Sequence, residues 1–145
     1  MRKLLLTAAT VLLLAFALVS LSVAGECDGA AMNEDAGGKF AASLPRVSEM
    51  AARSFDDIGC AVIARNEECV MRQELFDANA VVRDYLTGEQ IVVEKAFFVL
   101  RTGVRTPRNF GIVAFKERAE AEKFSASHGK GKVVKWSELV DEKLN

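Results

Sequence analysis

In this chain of 145 residues the charges nearly balance, 19 Lys and Arg against 20 Asp and Glu, so nothing points to nucleic acid or an anionic membrane surface as a partner. Half of the residues are hydrophobic, enough for one core, and once the N-terminal segment is set aside the remainder is too short for two ordinary domains. The cysteine count of three is odd: at most one intramolecular bridge forms, and the third thiol is free, joined to another molecule or bound to metal.

Arg2 and Lys3 precede an apolar run over residues 4–21, and Ser22-Val23-Ala24 follows it. This is the layout of a secretory signal peptide with small residues where the peptidase reads, so residues 1–24 are expected to be removed after Ala24 and the protein to be periplasmic or secreted. The competing reading is an uncleaved anchor, since the run approaches the ~20 residues that span a bilayer. Loss of Arg2 and Lys3 takes the net charge to about −3. Cys27, Cys60 and Cys69 all remain, in a compartment where disulfides persist.

Residues 25–45 are rich in Ala, Gly and small polar side chains, with too little apolar surface to offset the entropy of ordering. They are expected to form a flexible leader carrying Cys27 and Met32, and residues 46–145 the folded domain. Residues 47–52 read as helical or irregular. Ser54-Phe55-Asp56-Asp57 sets a hydroxyl at a helix N-cap and a carboxylate three residues on, which predicts a helix over residues 55–65. Phe55, Ile58, Gly59 and Val62 share its buried face, and Cys60 lies well away from that face.

The β-branched runs at residues 80–85 and 91–93 flank Thr87-Gly88-Glu89 and predict a hairpin. Residues 96–100 and 111–115 are almost wholly apolar and predict buried strands, with a polar functional loop between them around Thr106-Pro107. A helix is expected over residues 116–128, with Gly129 as its left-handed terminator. Residues 133–136 then read as a strand, and Ser137 as the cap of a final short helix reaching residue 144. Strands mixed with separated helices, without regular βαβ alternation, indicate an α+β fold of small mixed sheets.

The order and spacing of Phe55-Asp56-Asp57-Ile58-Gly59-Cys60, Val82-Arg83-Asp84-Tyr85-Leu86-Thr87-Gly88-Glu89, Ala96-Phe97-Phe98-Val99, Thr106-Pro107, Gly111-Ile112-Val113-Ala114-Phe115, His128-Gly129 and Val134-Lys135-Trp136-Ser137 resemble the NosL family. These are periplasmic copper-binding accessory proteins of nitrous oxide reductase maturation, and the resemblance covers roughly residues 54–139. It implies two small related ββαβ units packed together. It further implies a Cu(I)-binding, chaperone-like role that delivers copper to a partner metalloprotein such as nitrous oxide reductase, or receives it from a copper-delivery protein.

A Cu(I) carrier needs soft sulfur ligands, because thiolate and thioether suit a soft cation and carboxylates do not. The candidate metal residues are Cys60, Cys69, Met71 and Cys27. Cys60 matches the family's Phe-Asp-Asp-Ile-Gly-Cys position. Cys69 and Met71 fall on one side if their segment is extended. Cys27 with Met32 stands as a rearranged substitute for the Cys-Gly-Met element that the family carries near its mature N-terminus and this chain lacks. The family also places a methionine directly after Thr-Pro, where this chain has Arg108, and an arginine cannot ligate Cu(I). Its members are often lipoproteins, yet Glu26 occupies the position where lipidation requires a small residue before Cys27. Membrane attachment is therefore expected only if the N-terminal segment is retained or Cys27 is lipidated.

A bridge between Cys60 and Cys69 requires the helix to end before Cys69, because nine residues of unbroken helix would separate them by ~13 Å. Bridge and shared metal site both remain open. The alternative function is a metal-free periplasmic interaction domain stapled by a Cys60–Cys69 disulfide, and a third is a thiol-redox protein. No enzyme is expected. Asp56 and Asp57 are accounted for by capping, and a Cys–His pair would need His128 to meet a cysteine that nothing brings to it. His128 itself, in the last turn of its helix, reads as a structural residue.

Overall fold

The computed structural model describes Cys27, residues 38–48 and residues 50–144. The expected signal peptide, Met32 and residues 28–37 of the expected leader lie outside the described residues. Strands β1 (Ala42–Leu44) and β2 (Arg53–Phe55) lead into helices α1 (Ile58–Asn66) and α2 (Val70–Asn79). Strands β3 (Val81–Arg83) and β4 (Gln90–Val92) follow, then a short 3-10 turn at Val93–Lys95. The second half runs β5 (Phe97–Leu100), β6 (Val113–Phe115), α3 (Arg118–Ser127), β7 (Lys132–Val134) and α4 (Trp136–Leu139).

The strands form two antiparallel sheets, ordered β2-β1-β3-β4 and β6-β5-β7. In each, the first strand of its unit lies in the middle, with the second strand on one side and the strand that follows the helical segment on the other. The ββαβ path thus occurs twice in an α+β fold, the first copy carrying two helices and the extra strand β4. The sheets meet where Tyr85 N donates to Ala114 O at 2.8 Å and Lys116 N donates to Asp84 Oδ1 at 2.8 Å.

β5 explains why its run is apolar without alternation. Phe98 and Leu100 face a core shared by both units, including Leu44, Ile58, Phe76 and Trp136, while Val99 faces a smaller cluster with Phe115 and Phe124 under α3. A strand buried on both faces has no solvent side to show a polar residue. Phe98 is fully buried with its ring 5.6 Å from Trp136, and Phe98→Ala would cost about 3–5 kcal/mol in transfer and cavity terms.

Three expectations need correction. Part of the expected leader is structural: Ala42–Leu44 forms β1, hydrogen-bonded to both β2 and β3. Ser54 is no helix cap, because its backbone pairs with Ser43 in the β1–β2 ladder; α1 begins three residues later than expected, at Ile58, and the side chain of Asp57 caps it by accepting from Gly59 N at 3.0 Å. Of the two readings of residues 47–52 the irregular one holds, since Val47 and Met50 close a tight turn through reciprocal backbone bonds. Trp136 opens α4 instead of ending a strand, and the helix is shorter than expected.

Candidate functional site around the Cys27–Cys60 cystine

Polar groups converge at the start of α1. Asp57, fully buried, accepts from Gly59 N at 3.0 Å, from Thr106 Oγ1 at 2.5 Å and from Arg108 N at 2.9 Å. A buried carboxylate is tolerable only when its lone pairs are met, and three donors meet them here. Thr106 in turn accepts from Gly111 N at 3.1 Å, closing the loop onto itself. The Asp56 carboxylate faces the guanidinium of Arg108 at 3.1 Å.

Gly59 completes the clamp. A Cβ there would lie 2.1 Å from Cγ of Phe110, so the absence of a side chain is what lets the ring rest on the first turn of α1. The loop between β5 and β6 is therefore docked on α1 by Thr106, Arg108 and Phe110. Arg101 and Asn109 hold left-handed backbone within it, with φ of 57° and 62°.

Beside this clamp Cys60 is bonded to Cys27, with Cα atoms 5.5 Å apart. This corrects the expected pairing: the Cys60–Cys69 bridge does not form, and Cys69 is a free, exposed thiol. Cys60 is also not off the core face, being only 4 % exposed, because α1 is covered nearly all round, with Ile58, Gly59, Ala61, Val62 and Ala64 buried alongside it. Cys27 is partly exposed. A sulfur held in this bond cannot also carry a lipid.

Met71 and Cys69 sit at the exposed start of α2, not on an extended segment: Cys69 is the N-cap, and Met71, the second residue of the helix, is 72 % exposed. Glu68 beside them is tied to Arg53 at 3.0 Å and to Arg72 at 3.5 Å. The structure thus unites Cys27 with Cys60 and leaves Cys69 and Met71 on the surface. Among the described residues no three His, Cys, Asp or Glu side chains converge as a metal site. His128 is the C-cap of α3, its ring stacked on Phe124 at 3.9 Å.

The clamp residues were each visible in the sequence, but not as a group. On sequence Asp57 is a capping carboxylate, Thr106-Pro107 a loop motif, and Arg108 a residue unable to hold copper. Their one shared signal was membership of the same ordered motif string.

A second polar region, a cleft of about 440 Å³, is lined by Arg65, Asp77, Glu94, Lys135, Trp136 and Asp141, among others. Its central groups are committed to one another. Asp77 accepts from Arg65 Nε at 2.9 Å, Arg65 Nη2 at 2.6 Å and Trp136 Nε1 at 2.6 Å, and the hydrogen bond to Asp77 raises the Arg65 pKa above its ordinary value. Burial lowers the Lys135 pKa; its Nζ donates to Ala96 O at 2.8 Å and lies over the Phe97 ring.

No protein-family model matches the chain, and no curated protein or solved structure matches it either.

Proposed function

We propose that this protein is a periplasmic Cu(I)-binding accessory protein in which Cys27 and Cys60, when reduced, supply two thiolates to the metal and pass it to a partner metalloprotein. The observation that carries the reading is the meeting of these two sulfurs at the start of α1. Two soft thiolates suit Cu(I), and the closeness of their Cα atoms allows both to reach one ion. The NosL-like motif order supports the same role, and Cys60 stands at that family's cysteine position. Cys69 and Met71, exposed at α2, are not needed for this site.

The bond itself favours a second reading, a metal-free interaction domain, because an oxidised cystine has no thiolate to offer a metal. The staple is then Cys27–Cys60 and not Cys60–Cys69. Competition for Cu(I) against a chelator that colours on binding separates the two. The reduced wild type is expected to hold copper, with Cys27→Ser and Cys60→Ser each weakening retention about tenfold or more, and Cys69→Ser and Met71→Ala leaving it nearly unchanged. A reduced wild type that releases all its copper to the chelator leaves the staple as the function of the bond.

A further inference from the structure

We propose that the Cys27–Cys60 cystine is exchangeable and that its partner is a dithiol reductant, which attacks Cys27 Sγ and expels Cys60 as the leaving thiolate. This goes beyond the copper reading, and its test contains no metal.

The two sulfurs are unequally accessible. Cys27 is partly exposed, whereas Cys60 is 4 % exposed. In disulfide exchange the incoming thiolate approaches along the sulfur–sulfur axis, from behind the sulfur it attacks. Approach to Cys27 comes from its solvent side; approach to Cys60 would have to pass through the packed start of α1.

The leaving group is also favoured at Cys60. It is the third residue of α1, a nine-residue helix, where the positive end of the helix dipole stabilises a thiolate and makes it depart faster. The adjacent carboxylates are already engaged: Asp57 by Gly59 N, Thr106 and Arg108 N, and Asp56 by the Arg108 guanidinium.

Finally, the first turn of α1 does not depend on the bond for its place. The Asp57–Thr106 hydrogen bond and the seating of Phe110 on Gly59 hold it to the β5–β6 loop. Opening the cystine therefore leaves the fold in position.

The step balances as follows. A thiolate of the reductant forms a bond to Cys27 Sγ, the Cys27–Cys60 bond breaks, and its electron pair leaves on Cys60. The reductant's second thiolate then attacks its own bonded sulfur, closing the reductant's disulfide and releasing Cys27 as a thiolate. Two electrons and two protons pass from the dithiol to the cystine.

The test uses the oxidised Cys69→Ser protein in copper-free native buffer, which removes the exposed thiol; Cys69 makes no side-chain capping bond. Glutathione serves as a monothiol probe, with acid quenching and peptide mass mapping. Glutathione is expected on Cys27 over Cys60 by about tenfold, at a rate proportional to its concentration. Dithiothreitol should then yield two thiols with the cooperative thermal transition retained. In single-thiol variants, Cys27 in Cys60→Ser should react with N-ethylmaleimide about tenfold faster than Cys60 in Cys27→Ser. Adducts mainly on Cys60 or shared equally, a rate independent of glutathione, or loss of the transition on reduction would each overturn the proposal.

Discussion

Thr106 Oγ1 donates to the buried carboxylate of Asp57 at 2.5 Å, across 49 positions of sequence, and the same hydroxyl accepts from Gly111 N at 3.1 Å. One side chain thus fixes the β5–β6 loop to itself and to the start of α1. Thr106→Val keeps the shape and deletes both bonds, leaving Asp57 one donor short in a buried setting. Loss of about 1.5–3 kcal/mol is expected in urea unfolding, with little change in the slope of the transition. A loss under 0.5 kcal/mol would mean that this hydrogen bond does not anchor the loop.

Gly59 and Phe110 make a second, separable test of the clamp. Alanine normally favours a helix over glycine by about 1 kcal/mol. Here the added Cβ would stand 2.1 Å from the Phe110 ring, so Gly59→Ala is expected to destabilise by about 1–3 kcal/mol. In a Phe110→Ala background the obstruction is gone, and the same substitution should become neutral or stabilising. A double-mutant cycle in which the effect of Gly59→Ala keeps its sign would refute the packing account.

Asp84 offers a prediction in pH. Burial pushes its pKa up, but hydrogen bonds from Lys116 N, from Thr87 N and Oγ1, and from Leu86 N outweigh burial and hold it below its ordinary value. A carboxyl depressed in the folded state adds stability that is present above its unfolded pKa and lost as pH falls through the folded value. Asp84→Asn turns an amide toward backbone donors that need an acceptor, at a cost of about 1–3 kcal/mol at neutral pH. The gap between wild type and variant should hold from neutral pH down to about 5 and close below about 4. A gap that stays constant to low pH would remove the carboxylate from the explanation.

The elements legible in the sequence are those whose signals are local. Thr87-Gly88 lies in the β3–β4 connection, Gly129 follows α3 with a φ of 86°, and the apolar runs at β5 and β6 mark strands covered on both faces. β1 was hidden because a three-residue strand of Ala, Ser and Leu has too little pattern to stand out from a small-residue leader, and only its two neighbours make it a strand. α2 gave no clear helical face because Phe76 is its one buried residue. The burial of Cys60 escaped for the opposite reason: α1 is enclosed nearly all round, so the helical period does not distinguish a core face. Three cysteines permit three pairings, and no local signal singles out the observed one, whose two residues lie 33 positions apart.

The N-terminal boundary of the fold yields the last prediction, because Cys27 and β1 contribute in different ways. A chain beginning at residue 38 lacks Cys27 but retains β1. It should fold cooperatively and be less stable than the oxidised intact protein by about 3–4 kcal/mol, the loop-entropy contribution of a bond spanning 33 residues. Cys27→Ala in the intact chain should lose the same amount, since both changes open the same loop. A chain beginning at residue 46 loses β1 as well. Ala42 and Leu44, 3 % and 1 % exposed, leave the core, β2 loses its strand partner, and β3 loses one edge. Urea unfolding followed by circular dichroism should show a cooperative transition for the first chain and none for the second. Equal stability of the two shortened chains would show that β1 is dispensable.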